Sequence, residues 1–345
     1  MKLLITGGAG FIGSSLALQL AERHPDWQIT ALDNLYRRGS ELNLPRLKAA
    51  GVKFVHGDIR IQEDLAGLDE FDALVECSAE PSVRAEGDIL IPVNLTGAHH
   101  CFQAAARFGA QVIFLSTSRV YPVKPIEGLV YDELPTRFEP AAEQALPGVG
   151  PDGISEEFPL TGARTVYGAT KLAAELLLQE HQAEWTINRF GVVAGPWQMG
   201  KVDQGVFTHW LLSAVFGKPL KYFGYDGSGR QVRDLLHVDD LVDLVELQLG
   251  DRAKWNGQTF NAGGGRSNSL SLLELTGAVE DITGIKLDVG SQLGTHPTDV
   301  RWYVTDNATL TEFSGWSPKK TALGTLADIH DWLREHESVV RNSLT

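Results

Sequence analysis

The sequence predicts an α/β fold built on a doubly wound parallel sheet, with a second, smaller domain following it in the chain. Three observations carry that expectation: short continuous apolar runs alternate with stretches of helical period, a glycine-rich loop joins the first run to the first helix, and the rhythm loosens after Gly195. Strands that are buried on both faces, as in a helix-covered parallel sheet, read as continuous apolar runs and not as alternation.

Lys2–Thr6 reads as the first buried strand. Phe11–Arg23 reads as a helix with Phe11, Ile12, Leu16, Leu20 and Ala21 on its apolar side. Gln28–Leu32, Lys53–His56, Ala73–Val75 and Val112–Leu115 follow as strands, and a long helix is expected over Val93–Phe108. Strands separated by helices imply right-handed crossovers, and such sheets bind ligands at the carboxyl ends of their strands. Tyr121–Thr165 breaks the pattern. It is rich in Pro, Gly and acidic residues without a clear period, and it reads as a functional loop or lid, or as disorder. A helix over Tyr167–His181 and a strand over Trp185–Phe190 complete the first domain, expected at residues 1–195 with an insertion at about 122–165. Residues 196–345 are expected to form a substrate-binding domain with interleaved boundaries. Its helices are placed at Val206–Phe216, Val238–Leu249 and Ser271–Ile282, and its short strands near Lys221–Phe223 and Thr259–Asn261.

Composition narrows the function classes. Hydrophobic residues make up 43% and charged residues 21% of 345, which suits a folded globular chain. A formal net charge of −14 opposes nonspecific binding to nucleic acid or anionic membrane, although a few local arginines can still receive an anionic small molecule. No run approaches the ~18 consecutive apolar residues of a membrane helix. The chain begins directly with a strand, so a cytoplasmic protein is expected. Two cysteines, Cys77 and Cys101, are too few for a disulfide framework or a structural zinc site. They read as buried bystanders, and no metal is expected.

Gly7-Gly8-Ala9-Gly10-Phe11-Ile12-Gly13 lies between the first strand and the first helix. Gly7 permits the tight turn, Gly10 lets backbone approach a pyrophosphate, and Gly13 lets the helix pack on the strand. The pyrophosphate then meets the N–H groups of the helix N-terminus. Asp33 ends the second strand about twenty residues later, where a carboxylate accepts from the ribose hydroxyls of NAD and repels a 2′-phosphate. The nearby Arg37 and Arg38 could instead receive that phosphate; Asp33 decides for NAD. This is a Rossmann-type reading, with Asn34, Arg38, Asp58 and Ile59 completing the adenosine side and Ser78 and Ala79 after the fourth strand.

Tyr167-Gly168-Ala169-Thr170-Lys171 opens a helix, and the spacing of four puts Tyr167 and Lys171 on one face. An ammonium near a phenol favours the phenolate, so the lysine is expected to lower the tyrosine pKa and make Tyr167 a general base for a sugar hydroxyl. Ser116-Thr117-Ser118 ends the fifth strand at the carboxyl edge, where a hydroxyl can hold the substrate oxygen.

On these motifs the chain resembles the extended short-chain dehydrogenases/reductases, the sugar-nucleotide epimerases and dehydratases. The resemblance covers nearly the whole chain. It implies catalytic roles for Thr117, which lies three residues before Val120-Tyr121, and for Tyr167 and Lys171, the last two also touching the cofactor. It implies a place for Asn94 behind the nicotinamide and phosphate-binding roles for Arg233 and Arg301. Thr117, Ser118, Arg189, Gln204 and Val206 join these as substrate contacts. Five stretches are similar to the CDP-hexose 2-epimerase branch: 33–39, the insertion containing Gly153-Ile154-Ser155-Glu156, 202–205, 230–237 and 268–275. That branch implies a permanently bound, regenerated NAD and inversion at C2 of a CDP-hexose through a 2-keto sugar. A UDP-hexose 4-epimerase shares the same trio, and a noncatalytic NAD-sensing scaffold is the alternative of another class. A 4,6-dehydratase would carry an acid pair after the threonine, where this chain has Ser118-Arg119. The chain also differs from the family's His-x-Ala after the fourth strand, reading Glu76-Cys77-Ser78-Ala79-Glu80, and from its Val-Tyr-Gly, reading Val120-Tyr121-Pro122. Core packing is expected for Trp197 and Trp210, and a helix-capping role for His237. Helices Val93–Phe108 and Tyr167–His181 match those that pair in family dimers, so a homodimer is expected.

Overall fold

The computed structural model describes residues 1–83, 85–200 and 205–343. Seven strands form the central sheet: β1 (Lys2–Thr6), β2 (Gln28–Asp33), β3 (Lys53–His56), β4 (Ala73–Glu76), β5 (Gln111–Thr117), β6 (Trp185–Phe190) and β7 (Gln258–Ala262). Their order is β7-β6-β5-β4-β1-β2-β3. β1 runs parallel to β2 and β4, β2 to β3 and β4 to β5, with Thr6 opposite both Leu32 and Glu76. The order reverses between β1 and β4, which makes the carboxyl ends of those two strands the switch point where such sheets bind ligands.

The chain divides into two interleaved units, residues 1–120, 166–189 and 241–259 in one and 121–165, 190–240 and 260–345 in the other. The unpatterned stretch after Tyr121 thus belongs to the second unit, and residues 241–259 return to the first.

In the first unit, helices α1 (Phe11–Arg23), α2 (Ala98–Phe108), α3 (Val166–Gln179) and most of α4 (Val238–Gly250) accompany the sheet. Leu4, Leu32, Leu74, Phe102, Phe114 and Ile187 share one buried core. Every residue of β5 is buried, which is why its middle, Val112–Leu115, reads as a continuous apolar run. Helical backbone begins before α2, at Gly87, and passes through a π-helical segment, Ile91–Gly97, that the period did not reveal. Pro92 lies in its first turn and has no N–H to give to a regular α ladder.

In the second unit, the strand Val232–His237 is the hub. It pairs in parallel with Val192–Ala194 and Trp302–Tyr303 and antiparallel with Ser269–Ser271. The helix Leu272–Thr283 starts with a capping box, Ser271 Oγ accepting from Glu274 N at 3.0 Å and Glu274 returning the bond to Ser271 N at 2.9 Å. Between Tyr121 and Thr165 the chain makes a short helix, Val123–Glu127, and two small antiparallel pairs. Segments of two to five residues are too short to print a period on the sequence. Trp210 is buried in the core of this unit, with its indole N–H donating to Thr276 at 3.0 Å, and Trp197 packs 5.7 Å from the ring of Trp332. His237 Nδ1 accepts from the backbone N–H of Asp239 at 3.0 Å and so caps the start of α4, as expected. Among the described residues no helix is long and apolar enough to cross a membrane.

Candidate active site

The glycine loop is a cradle that side chains would fill. Gly7 adopts φ +64° and packs against Ser78 N, where an added Cβ would sit 3.0 Å away. A Cβ on Gly13 would meet Gly7 O at 2.2 Å, so α1 closes on the loop only because position 13 is glycine. No side chain caps α1 at Gly10, which leaves the first-turn N–H groups near Phe11, Ile12 and Gly13 facing a place for an anion. Asp33, buried at the end of β2, accepts from Ala9 N at 3.1 Å and Leu35 N at 2.8 Å, one bond per oxygen, and keeps lone pairs for a diol. Burial pushes its carboxyl above the ordinary value, and the backbone donors pull it back. Asn34 donates to Asp58 at 2.9 Å, and Ile59 is buried with Gly97 backed against it. Arg60 holds Asp58 down to about 2. Arg38 is exposed on the loop after β2. Uncapped helix, glycine cradle and the acid at the end of β2 together fit a dinucleotide, and Asp33 suits an unphosphorylated ribose.

The catalytic residues expected from the sequence lie in the first unit. Thr117 ends β5 and Ser118 opens a 3-10 turn after it; Tyr167 and Lys171 lie in the first turns of α3. Thr117 Oγ1 accepts from Arg119 N at 3.2 Å. Burial pushes the Tyr167 phenol above its ordinary value; a hydrogen bond with Thr117 pulls it back, followed by Arg119. Lys171 is placed differently from the expectation that it sits against the phenol. Its ammonium is buried 3.7 Å from Glu76 Oε2 and 3.9 Å from the centre of the Phe114 ring, drawn there by the carboxylate at the end of β4. Asn94 sits in the π-helical segment and binds both the N–H and the carbonyl of Glu80, so it shapes the loop that carries Ser78 and Ala79.

The structure gives the expected substrate arginines carboxylate partners. Arg189 is buried and grips Glu175 through Nε and Nη2, at 2.8 Å for the shortest contact; Ser116 also donates to Glu175. A guanidinium spent on a buried carboxylate is a structural tie, which corrects the expectation of substrate contact at Arg189. In the second unit, Arg233 bonds Asp299 at 2.8 Å and the Val300 carbonyl, and Arg301 bonds Glu127 at 2.8 Å with the rings of Tyr131, Phe138 and Tyr225 around it. Val206 opens the helix Val206–Phe216 and packs on the core of that unit. Gln204 lies outside the described residues. Sequence reasoning missed Glu76, Glu127 and Glu175 as partners of these cations, since nothing in the order of residues marks an acid as buried. Cys101 is buried and Cys77 half-buried, both unpaired by disulfide.

A model of the NAD dependent epimerase/dehydratase family matches residues 3–263. The chain is 31% identical over 350 residues to CDP-paratose 2-epimerase of Salmonella typhi, with 96% of this chain and 99% of that one covered. It is 27% identical to UDP-glucose 4-epimerase of Bacillus subtilis (strain 168), with 96% of each covered. Among solved structures, a dTDP-glucose 4,6-dehydratase double mutant from Streptomyces venezuelae with NAD bound is similar at TM-score 0.80 and 27% identity, covering 99% of this chain and 100% of that one.

Proposed function

The chain belongs to the NAD dependent epimerase/dehydratase family, and on that footing we propose that it is a nucleotide-sugar 2-epimerase acting on a CDP-hexose. The observation that carries the reading is the 31% identity, along nearly the whole of both chains, to a CDP-paratose 2-epimerase. Ser118-Arg119 after Thr117 supports an epimerase over a dehydratase, because elimination of water needs an acid that this strand end lacks.

In this reading Thr117 and Tyr167 hold the C2 hydroxyl of the hexose between them. Tyr167, with Thr117 easing its ionisation, takes the hydroxyl proton as C2 becomes a ketone, and returns it when the opposite face of the rotated sugar is reduced. NAD, when bound, supplies the hydride acceptor and donor, and it is regenerated in each turnover. Asp33 and the glycine loop hold the dinucleotide, with Asn34, Asp58 and Ile59 on the adenosine side and Ser78, Ala79 and Asn94 near the nicotinamide. Arg233 and Arg301 receive the diphosphate, as doubly donating guanidiniums can, and Asp299 and Glu127 hold those two cations in place until the substrate arrives.

The test is incubation of the purified protein, without added cofactor, with CDP-glucose, CDP-paratose or UDP-glucose, the products being resolved by NMR. CDP-mannose or CDP-tyvelose supports the proposal. Galactose formed from UDP-glucose transfers the chain to the 4-epimerases, and no turnover of any of them moves it toward an NAD-sensing scaffold. We also propose a homodimer through the helices before and at α2 and α3. Ile89, Ile91, Val166, Leu176 and Leu177 stand exposed there, an apolar face of the kind a partner covers. A monomeric mass in solution would remove that assignment.

A further inference from the structure

The acid–base reading of Tyr167 and Lys171 leaves one buried charge without a task. Glu76, the last residue of β4, is fully buried at the carboxyl edge of the sheet, where Lys171 before all, then the Ser78 N–H and the Thr6 hydroxyl, favour its charged form. A carboxylate stripped of water needs a cation beside it. The cation is Lys171, whose Nζ lies 3.7 Å from Glu76 Oε2.

The surroundings single out this pair. On α3, Glu175 is the other acid near Lys171, but its oxygens are engaged by Ser116 at the end of β5 and by Arg189 on β6. On β5, Phe114 presents its ring face to the ammonium at 3.9 Å. Thr6 on β1, Cys77 after β4 and Cys101 on α2 line the pocket with neutral groups, the two thiols pushed well above their ordinary range by burial and, next, by Glu76 itself. Glu80 and Arg119 face Tyr167, and Tyr167 itself lies one turn before the lysine.

We propose that Glu76 is the positioning residue of the site, a counter-ion that keeps Lys171 protonated and holds its ammonium at the end of β4, one helical turn after Tyr167. This rests on the functional reading above. The physical reasons run in both directions. Burial alone drives the lysine toward its neutral form, and Glu76 is the largest influence opposing it. Burial likewise drives Glu76 toward the neutral acid, and Lys171 is the largest influence opposing that. Each group keeps its charge because the other does.

The test is a pH titration of lysine ¹³Cε resonances in the holoprotein as purified, with Lys171 assigned by its loss in Lys171→Arg. In Glu76→Gln the midpoint of the Lys171 signal is expected to fall by about one to three pH units, and in Glu76→Asp by less, since the carboxylate survives one methylene further back. With substrate, the alkaline limb of kcat should move down by the same amount in each variant while KM changes little. A Lys171 midpoint that stays put in both variants overturns the proposal. Should Glu76→Gln not fold, Glu76→Asp alone decides by whether its midpoint falls. The titration needs no sugar nucleotide, so failure to turn over any hexose counts against the functional reading and leaves the Glu76 assignment to be judged by the resonance.

Discussion

Asn94 holds Glu80 by both of its backbone groups: the side-chain oxygen accepts from Glu80 N at 2.8 Å, and the side-chain nitrogen donates to Glu80 O at 3.0 Å. The same nitrogen reaches Thr170 Oγ1 at 3.4 Å, so one buried amide joins the loop after β4 to the helix that carries Tyr167. Asn94→Ala removes the partner of the two half-buried Glu80 backbone groups. It is expected to cost about 1–3 kcal/mol in urea unfolding at unchanged m. Asn94→Asp should not rescue it, because a carboxylate cannot donate to the Glu80 carbonyl.

Removing the phenolic oxygen in Tyr167→Phe should lower turnover by roughly 10²–10⁴, the usual worth of a positioned acid or base. NAD content after denaturing release should stay at the wild-type level. Loss of NAD together with activity would show that the ring holds the cofactor and not the proton.

Thr117 pulls the buried Tyr167 phenol down against desolvation. A base that must be deprotonated works on the alkaline side of its pKa. Thr117→Val removes the pull, so the acid limb of kcat is expected to move to higher pH, which a profile across pH 5 to about 10 reads directly.

Gly13→Ala places a methyl 2.2 Å from Gly7 O. Either α1 lifts from the loop or the loop opens, at a cost of about 1–3 kcal/mol. The variant should be purified with less bound NAD than wild type, measured by absorbance of the released nucleotide.

Neutral His237 caps α4 by accepting from Asp239 N. Burial holds its imidazole below the ordinary 6.5, with Asp239 opposing. A base whose folded pKa is depressed lends stability that is present above pH 6.5 and is lost as pH falls below it toward the folded value. Urea unfolding of wild type should therefore weaken between pH 7.5 and 5.5. His237→Asn keeps an acceptor at the cap and, lacking the titration, should lose less stability over that interval than wild type. Equal losses in the two proteins would count against His237 as the source.

The sheet, its helices and the glycine loop were legible because each depends on local pattern: β1 and β5 carry the apolar runs Leu3–Ile5 and Val112–Leu115, Gly7 takes a positive φ, and a Cβ on Gly13 has no room. The His237 cap was legible for the same reason, being two residues from its partner. The pairing of Lys171 was not. Glu76 stands out only as a departure from His-x-Ala, and nothing in the order of residues ties it to Lys171 on α3. Nor were the carboxylates that hold Arg189 and Arg301 legible: Glu175 and Glu127, one on a helix and one in a stretch without period, come beside them only in the fold. Ion pairs formed between separate elements leave no spacing rule in the chain.

The π-helical segment Ile91–Gly97 has a consequence for tolerance to length change. A π turn holds one more residue than an α turn, so the segment stores one residue's worth of rotation, about 100°. Deleting any single residue there would convert it to ordinary helix while leaving hydrophobicity and charge almost untouched. The side chains on either side of the deletion would keep nearly their present faces, because the π turn already absorbs the extra residue. A one-residue gap between homologous sequences at 91–97 would therefore mark loss of the π turn with the flanking helix kept, and Asn94, which holds Glu80 from this segment, is the contact such a gap puts at stake.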